Sequence, residues 1–375
     1  MKFIHLADLH IGKRYQEYSL IENQKDMLAQ ILNYIDANNI DAVLIAGDVY
    51  DKSVPPTEAV TLFDDFLVQL AKRKVHTAII AGNHDSSERL AFGNRLIALS
   101  GIHISSSYNG NIESFTMQDE YGNIEIYLLP FVKPAIVKPF FPEQEITNYT
   151  QAAQLALQNV ALSNTRKILL AHQFVTGAEK SGSEMETVGG LDNVDAAVFN
   201  VFDYVALGHI HQAQQVVRQT IRYSGSPLKY DIKEVNKQKS FTVVEMKEKG
   251  SIAIQQIPIV PKQDIVIAEG SFDEITGEAF VQNIGANNFV FARLHSEEDV
   301  FDAYHRLCSH YPYLIGLKYM RNTEQLSENM QNMELVENKS PLELFEELFV
   351  QMNGTPINEE QRNIMQKAIA QVWEA

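Results

Sequence analysis

Five short apolar segments of this chain each end in side chains that can bind a metal ion. The segments are KFIHLA, DAVLIAG, HTAIIAG, KILLAH and DYVALGH, and each has the length and aliphatic content of a buried strand. The candidate ligands at their ends are Asp8, His10, Asp48, Asn83, His172, His209 and His211. Because sites in open α/β sheets form beyond the carboxyl ends of the strands, we expect all of these side chains to meet in one crevice.

The ligand types indicate which metal ions the crevice would bind. Carboxylate, imidazole and amide ligands suit Mn²⁺, Fe²⁺ or Zn²⁺ better than Ca²⁺, and a structural zinc site would require thiolates. The candidate ligands are too many for one ion, so the pattern predicts two ions that share a bridging carboxylate. Two metal ions about 3.5–4 Å apart form the clamp that hydrolyses phosphate esters with a metal-bound hydroxide.

Glycines support the prediction of a metal site. Gly47, Gly82 and Gly208 each precede a predicted ligand at a strand-to-loop turn. A residue without Cβ lets the backbone turn sharply and approach a metal ion or a phosphate. A single Asp-x-His or Gly-Asp-x-x-Asp pattern also occurs by chance or in ordinary turns, so the prediction depends on the five strand ends together.

His84 follows Asn83, which already supplies the local ligand. An imidazole beside the metals could contact a phosphate oxygen or protonate the leaving alkoxide, so we expect His84 to be catalytic. Asp51 and Asp85 could orient it, but turn formation and hydrogen bonding around the ligands explain both aspartates equally well. The histidines without a ligand-like context are expected to be structural or surface residues: His5, His76, His103, His295, His305 and His310.

The elements that must position these residues alternate between strands and helices. Helices are predicted at about Glu22–Asn38, Thr57–Lys72 and Gln151–Leu162, and the alternation favours an α/β layer fold. From Arg222 onward, the segments IRYSG, KSFTVVEM and SIAIQQIPI predict antiparallel strands that complete the first domain.

The sequence predicts four regions: a first domain at 1–258, a small α+β domain at 262–321, a polar linker at 322–339 and a helical tail at 340–375. The tail starts with Ser340-Pro341-Leu342-Glu343, which is typical of a helix N-terminus. From Glu324 to Ala375 there are ten acidic and three basic residues. Apolar helix faces in so acidic a segment favour a protein partner, although the helices could instead pack on their own domain.

The whole chain of 375 residues has 31 basic and 48 acidic residues, a net charge of −17. Proteins that bind duplex DNA unaided usually have a basic excess, so a local patch, metal ions or a partner would have to supply positive charge here. The chain has one cysteine, Cys308, and no apolar run typical of a signal peptide or membrane span. We therefore expect a cytoplasmic protein that does not insert into membranes.

The five motifs together resemble those of the calcineurin-like metallophosphoesterase superfamily. The resemblance implies an α/β (α+β) sandwich of two sheets flanked by helices, with His84 as the catalytic histidine. It also implies two metal sites that share Asp48: one formed by Asp8, His10, Asp48 and His211, and the other by Asp48, Asn83, His172 and His209. The protein phosphatases of the superfamily carry an Arg soon after the second motif and a Glu in the third. This chain has Asp51-Lys52-Ser53 and Gly82-Asn83-His84-Asp85 there, which argues against that branch.

Further segments are similar to the double-strand-break-repair nucleases, and in particular to bacterial nuclease subunits that work with a coiled-coil ATPase. These segments are KFIHLADLHIGKR, GDVYDKSVPP, YSGSPLKYDIKE and SPLELFEELF, and the resemblance covers essentially the whole chain. It implies a Mn²⁺-dependent 3′–5′ exonuclease on double-stranded DNA and an endonuclease on single strands and hairpins. It also implies a homodimer that binds two ATPase subunits through the terminal helices, with 262–321 as a capping domain.

Two other functions use the same fold. A small-molecule phosphodiesterase or phosphatase would have the same di-metal centre and is favoured by the acidic charge, but it would need neither the tail nor the small domain. A non-catalytic scaffold would be expected to lack some ligands, and every ligand is present here. The tail and the full-length resemblance favour the nuclease.

Overall fold

The computed structural model describes residues 1–105, 107–179, 192–296, 299–320, 341–354 and 356–373. The predicted linker 322–339 and the predicted helix cap Ser340 lie outside the described residues. The chain divides into two units, one comprising 1–293 and 302–318 and the other comprising 294–301 and 319–375.

The strands, numbered in chain order, are β1 Lys2–Leu6, β2 Arg14–Tyr15, β3 Tyr18–Ser19, β4 Ala42–Ala46, β5 His76–Ile80, β6 Ile102–Ile104, β7 Glu113–Asp119, β8 Gly122–Leu129, β9 Arg166–His172, β10 Phe174–Val175, β11 Asn193–Val194, β12 Tyr204–Gly208, β13 Gln214–Val216, β14 Arg218–Tyr223, β15 Ser240–Met246, β16 Ile252–Pro258, β17 Ile265–Gly270, β18 Phe289–Leu294 and β19 Leu314–Tyr319.

The α-helices are α1 Ile21–Ala37, α2 Thr57–Lys72, α3 Ser87–Leu90, α4 Asn94–Ile97, α5 Pro134–Val137, α6 Tyr149–Ala156, α7 Phe272–Thr276, α8 Glu278–Ile284, α9 Ala303–Cys308, α10 Pro341–Asn353 and α11 Glu359–Trp373. Short 3₁₀ turns occur at Ala98–Ser100, Lys138–Phe140, Ala196–Phe199 and Ile232–Glu234.

Two six-stranded sheets form the core of the first unit. Their strand orders are β16-β15-β1-β4-β5-β6 and β13-β14-β12-β9-β8-β7. In the first sheet β1, β4, β5 and β6 run parallel, and in the second β14, β12, β9 and β8 run parallel. The carboxyl ends of parallel neighbours share one edge, which brings the loops after β1, β4, β5, β9 and β12 together.

Side chains alternate along each strand, so that some face the layer between the two sheets and the others face a layer outside them. In β4, Leu44 packs between the sheets with Ile126 and Leu170, whereas Val43 and Ile45 face the layer that contains α1 and α2. This period of two, with both faces buried, explains why the central strands are continuous apolar runs. The sandwich flanked by helices agrees with the predicted fold class.

The structure corrects three local expectations. The helix predicted to reach Leu162 ends at Ala156, because the following residues close i→i+3 turns such as Gln158 N to Leu155 O. The segment IRYSG begins in β14, which pairs parallel with β12. The antiparallel neighbour of β14 is β13, on its other side. The hairpin of β7 and β8, which completes the second sheet, was missed altogether by the sequence prediction.

The region predicted as a small domain contains a three-stranded sheet, in the order β17-β18-β19, and helices α7 to α9. Edge-to-face contacts between aromatic rings connect this region to the β2–β3 hairpin. The ring centroids of Tyr15 and Phe289 are 5.0 Å apart, and those of Tyr18 and Tyr313 are 5.5 Å apart.

In the second unit, α10 and α11 correspond to the two predicted tail helices. Arg362 pairs with Glu346 at 2.6 Å, and the rings of Phe345 and Phe349 lie 6.0 Å apart. No side chain described in α10 or α11 is fully buried.

Candidate metal centre

The loops after β1 and β4 are joined through their backbones. Asp8 N donates to Gly47 O at 3.1 Å, and His10 N donates to Asp48 O at 3.0 Å. Asp8, His10 and Asp48 have φ values of 53°, 43° and 49°, and His209 has a φ of 103°. Positive φ costs a residue with a Cβ of the order of 1–3 kcal/mol, and such residues cluster at functional sites. Four such residues therefore mark this end of the sandwich as specialised.

The first group of ligand atoms comes from Asp8, His10 and His211, and these atoms all lie within 4.8 Å of one another. His10 Nε2 and His211 Nε2 are 3.1 Å apart. At most one proton can lie between two imidazole nitrogens that face each other, so at least one of them offers a lone pair. This arrangement fits a cation better than a hydrogen bond.

The second group comes from Asp8, Asp48 and His172. Asn83 Oδ1 lies 3.1 Å from His172 Nε2 and 3.0 Å from His209 Nδ1, so the amide oxygen and both imidazoles face one point. Asp48 Oδ2 lies 3.3 Å from His172 Nε2 and 3.8 Å from His10 Nε2. The Asp48 carboxylate thus stands between the two groups. The structure brings together all of the ligands expected from the sequence.

The centre has a buried side and an open side. Asp8, His10, Asp48, His172 and His211 are buried. Asn83 is exposed, and His84 and His209 are half-buried. A substrate can therefore approach from the side of Asn83, His84 and His209, while the carboxylates remain shielded from water.

His84 lies beside the ligand groups on the open side. Its backbone N–H donates to Asp48 Oδ1 at 2.9 Å, and its Nδ1 lies 3.0 Å from Asp51 O. A carbonyl can only accept, so Nδ1 carries the proton in this contact and Nε2 is left for a substrate or a metal. His84 also forms a ligand-like group with His10 and Asp51, with all atoms within 4.8 Å of one another.

Asp51 and Asp85 have different surroundings. The Asp85 carboxylate accepts hydrogen bonds from the backbone N–H groups of Val49, Tyr50 and Gly82, at 3.1, 2.9 and 2.9 Å. Asp85 thereby joins the loops after β4 and β5. The Asp51 carboxylate pairs with Lys13 Nζ at 2.9 Å, and its backbone carbonyl is the group that contacts His84.

Burial and mutual charge shift the pKa values of the ligands. Burial raises the pKa of Asp8 to about 6. Burial opposes the charging of His172, but the neighbouring Asp48 carboxylate outweighs it and raises the pKa of His172 to about 9. Burial lowers the pKa of His10 well below its ordinary value. A cation entering the centre must therefore displace protons.

The geometry and the donor set fit a di-metal centre. Carboxylates and imidazoles form two groups that share Asp8, and the Asp48 carboxylate lies near His10 of one group and His172 of the other. The Asn83 amide oxygen faces the second group. The Asp8 and Asp48 carboxylates repel each other at this distance, and a protonated His172 or bound metal ions can offset that repulsion.

Comparison with known proteins agrees with this chemistry. The family model described as calcineurin-like phosphoesterase matches residues 1–213. A protein of Staphylococcus epidermidis, named as the SbcD component of the SbcCD nuclease, is 30% identical over 341 residues, covering 89% of each chain. The protein of the same name from Staphylococcus saprophyticus is 30% identical over 340 residues, with 89% of each chain covered.

The chain belongs to the SbcD family of calcineurin-like phosphoesterases. A solved structure with some likeness is a dimetal phosphatase from Danio rerio, at 12% identity and a TM-score of 0.43. The match covers 68% of this chain and 95% of the phosphatase chain. Among the described helices, none has the length and apolar content needed to cross a membrane.

The structure adds supporting residues that the sequence analysis did not assign. Gln24 Nε2 donates to His10 O at 2.7 Å, and the Tyr230 hydroxyl donates to Leu9 O. Glu234 and Lys239 lie behind His211. Two features of the sequence could have pointed to these residues. Gln24 is a polar residue on the apolar face of α1, and Tyr230 and Glu234 lie in the segment YSGSPLKYDIKE.

Proposed function

We propose that this chain is a two-metal DNA nuclease that acts with an SbcC-like ATPase. The observation that carries the proposal is the pair of ligand groups on either side of Asp48, in a chain of the SbcD family. The metal-dependent nuclease follows from the family and the site together. The alternative small-molecule phosphodiesterase has no comparable support.

The residues divide into two ligand sets in this proposal. Asp8, His10 and His211 hold one metal ion, Asn83, His172 and His209 hold the other, and Asp48 bridges them. Ions bound there would convert a water into hydroxide and neutralise charge on the phosphate. Mn²⁺ suits this mixture of oxygen and nitrogen ligands, and we propose it as the cofactor.

His84 is proposed to act on the substrate. Its Nδ1 is held by Asp51 O at 3.0 Å, so the ring cannot turn freely and Nε2 is available on the open side. When both ring nitrogens carry a proton, Nε2 can donate a hydrogen bond to a phosphate oxygen or a proton to the leaving oxygen. Asp51 would orient His84 through its backbone, and Asp85 would fix the loop that carries Asn83 and His84.

The substrate is proposed to be DNA, with 3′–5′ exonuclease activity on duplex ends and endonuclease activity on single strands and hairpins. The net charge of −17 means that the metal ions and the ATPase partner would supply much of the positive charge that meets the phosphates. Residues 262–321 would form a capping domain that orients the DNA. Such a protein would work in DNA repair and recombination in the cytoplasm.

We propose that the chain forms a homodimer through the segment that follows His84. Phe92, Leu96 and Leu99 are 85%, 74% and 86% exposed, although they lie within ten residues of one another. Three large apolar side chains this exposed in one short segment are typical of an interface. A two-fold dimer through this face would join two nuclease subunits in a heterotetramer with two ATPases.

The helical tail at 340–375 is proposed to bind the ATPase. Leu348, Met352 and Ile364 are 52%, 76% and 60% exposed on α10 and α11. Apolar anchors on a helix pair suit a groove or helical surface of a partner protein, and the acidic charge of this segment makes DNA a poor partner.

The test is Mn²⁺-dependent cleavage of end-labelled duplex and hairpin DNA by the purified chain, first alone and then with the ATPase and ATP. We expect cleavage that the ATPase increases on duplex ends, and no cleavage by Asp48→Asn. Hydrolysis of a small phosphodiester without any DNA cleavage would refute the nuclease and favour the alternative.

A further inference from the structure

A buried ion pair lies directly behind His211. Glu234 is 1% exposed and Lys239 is 7% exposed, and Lys239 Nζ lies 3.0 Å from Glu234 Oε1. Burying two charges costs several kcal/mol for each ion before their attraction is counted, so a buried pair is a weak device for stability. A pair at this position therefore suggests a role toward the neighbouring metal ligand.

Both charged groups contact His211. Glu234 Oε1 lies 3.7 Å from His211 Nδ1, and Lys239 Nζ donates to His211 O at 3.0 Å. Lys239 Nζ also donates to Ser226 Oγ at 2.8 Å. Lys239 thus holds the backbone of His211 by a hydrogen bond, and the Glu234 carboxylate faces its ring at ion-pair distance.

The rest of the network fixes Glu234 itself. Glu234 Oε2 accepts a hydrogen bond from Tyr230 N at 2.7 Å. Glu234 ends a 3₁₀ turn in which the Asp231 side chain accepts a hydrogen bond from Lys233 N. The ring centroid of Tyr230 lies 6.1 Å from that of His211 and 5.4 Å from that of His10. One short segment therefore packs on both histidines of the first ligand group.

We infer that Glu234 is a positioning residue for His211 and that Lys239 holds Glu234 in place. The inference rests on the proposed di-metal centre. A carboxylate beside Nδ1 favours the tautomer with the proton on Nδ1, which leaves the Nε2 lone pair facing His10 Nε2 and the metal position. Glu234 acts on the metal through His211 and does not touch the substrate.

The arrangement is specific to one of the two metal positions. His172, a ligand of the other group, has its Nδ1 at 2.8 Å from the Ala46 carbonyl rather than beside a carboxylate. A carboxylate makes the histidine it contacts a stronger ligand than a backbone carbonyl does. Loss of the Glu234 charge should therefore weaken one metal-binding step and spare the other.

The experiment is a calorimetric titration of the metal-free, full-length chain with Mn²⁺, alongside the thermal midpoint of each variant. Glu234→Gln should weaken one of two binding steps about 10- to 100-fold and change the other less than about threefold. Glu234→Asp should recover part of the loss. The control Glu245→Gln changes a carboxylate that is 49% exposed and should match the wild type.

A second variant separates positioning from folding. Glu234→Gln leaves the Lys239 charge buried and unpaired, which can lower stability by itself. In the double variant Glu234→Gln/Lys239→Met neither charge remains, so the thermal midpoint should recover while the weakened binding step persists. The ¹⁵N shifts of the neutral His211 ring in the metal-free chain should show a mixed tautomer in both variants, compared with the tautomer protonated on Nδ1 in the wild type.

Each outcome decides between the claims. Two unchanged binding steps in Glu234→Gln would refute the positioning role and leave the di-metal centre intact. Equal weakening of both steps, reversed together with the thermal midpoint in the double variant, would assign Glu234 to the fold alone. A wild type that binds fewer than two Mn²⁺ ions would overturn both the inference and the proposed centre.

Discussion

His5 lies at the centre of the sandwich, and its titration should make the fold sensitive to acid. It is fully buried between the two sheets, with Nδ1 3.0 Å from the Tyr204 hydroxyl and Nε2 3.1 Å from Leu207 O. Burial, aided by the positive charge of Arg222, lowers its pKa from 6.5 to about 3. The unfolded chain therefore binds a proton at a pH where the folded chain does not.

The sign and size of the effect follow from this difference. Stability contributed by neutral His5 is fully present above pH 6.5 and is lost as the pH falls toward 3. Each pH unit below 6.5 costs about 1.4 kcal/mol, so at pH 4.5 the loss is about 3 kcal/mol. That is a large part of the 5–15 kcal/mol that is typical of a folded domain.

The assay is urea unfolding of the metal-free chain at pH 7 and pH 4.5 for the wild type and His5→Gln. Glutamine can bond to Tyr204 and Leu207 without titrating, and contributions of other groups cancel in the difference between the two proteins. The stability advantage of the wild type should shrink by about 3 kcal/mol at pH 4.5. For the control His310→Gln, at an exposed histidine, the stability difference from the wild type should be the same at pH 7 and pH 4.5. Equal pH dependence of wild type and His5→Gln would refute the argument.

Three other predictions concern the metal centre. His84→Gln should reduce turnover at least 100-fold while leaving Mn²⁺ content unchanged, and a loss of metal equal to that of Asp48→Ala would make His84 a ligand instead. Gly208→Ala should destabilise the fold by about 1–3 kcal/mol and weaken metal binding, because its Cβ would lie 1.9 Å from Ala46 O and 2.7 Å from His172 Nδ1. Gly277→Ala is its control, and equal effects of the two changes on metal affinity would contradict this prediction. The affinity for Mn²⁺ should rise up to tenfold per pH unit between pH 7 and 8.5. Asp48 raises the pKa of His172 to about 9, so His172 must lose a proton before it can bind a metal ion. A calorimetric affinity that does not change with pH over this range would refute the prediction.

The ligand cluster could be predicted from the sequence because it depends on a simple rule. Asp8 and Asp48 follow apolar strands and His172 ends one, and parallel neighbours place such residues at one edge of a sheet. The helices α1 and α2 were also predicted to within about one residue, since their apolar faces are regular.

Contacts between residues far apart in the chain could not be predicted in this way. His5 was expected to be structural, but its partner Tyr204 is 199 residues away in the other sheet. Glu234 sits in a segment without periodicity, and its role depends on the turn that directs it at His211. The β7–β8 hairpin was missed because β7 is half-exposed and reads as polar, ESFTMQD, rather than as an apolar run.

Asp51 shows why residue type alone can mislead. Its carboxylate was considered as a partner for His84, but the carboxylate pairs with Lys13 and the backbone carbonyl contacts the His84 ring. Backbone groups leave no trace in a sequence motif. The functional assignment of His84, and of the ligands themselves, remains a prediction that the experiments above test.

The central claim is that two metal ions share the Asp48 carboxylate. The most direct measurement is a crystal structure of the Mn²⁺-soaked chain with anomalous difference maps collected at the manganese edge. We predict two peaks about 3.5–4 Å apart, one beside His10 and His211 and the other beside Asn83, His172 and His209, with Asp48 between them. A single peak, or two peaks that Asp48 does not bridge, would contradict the account.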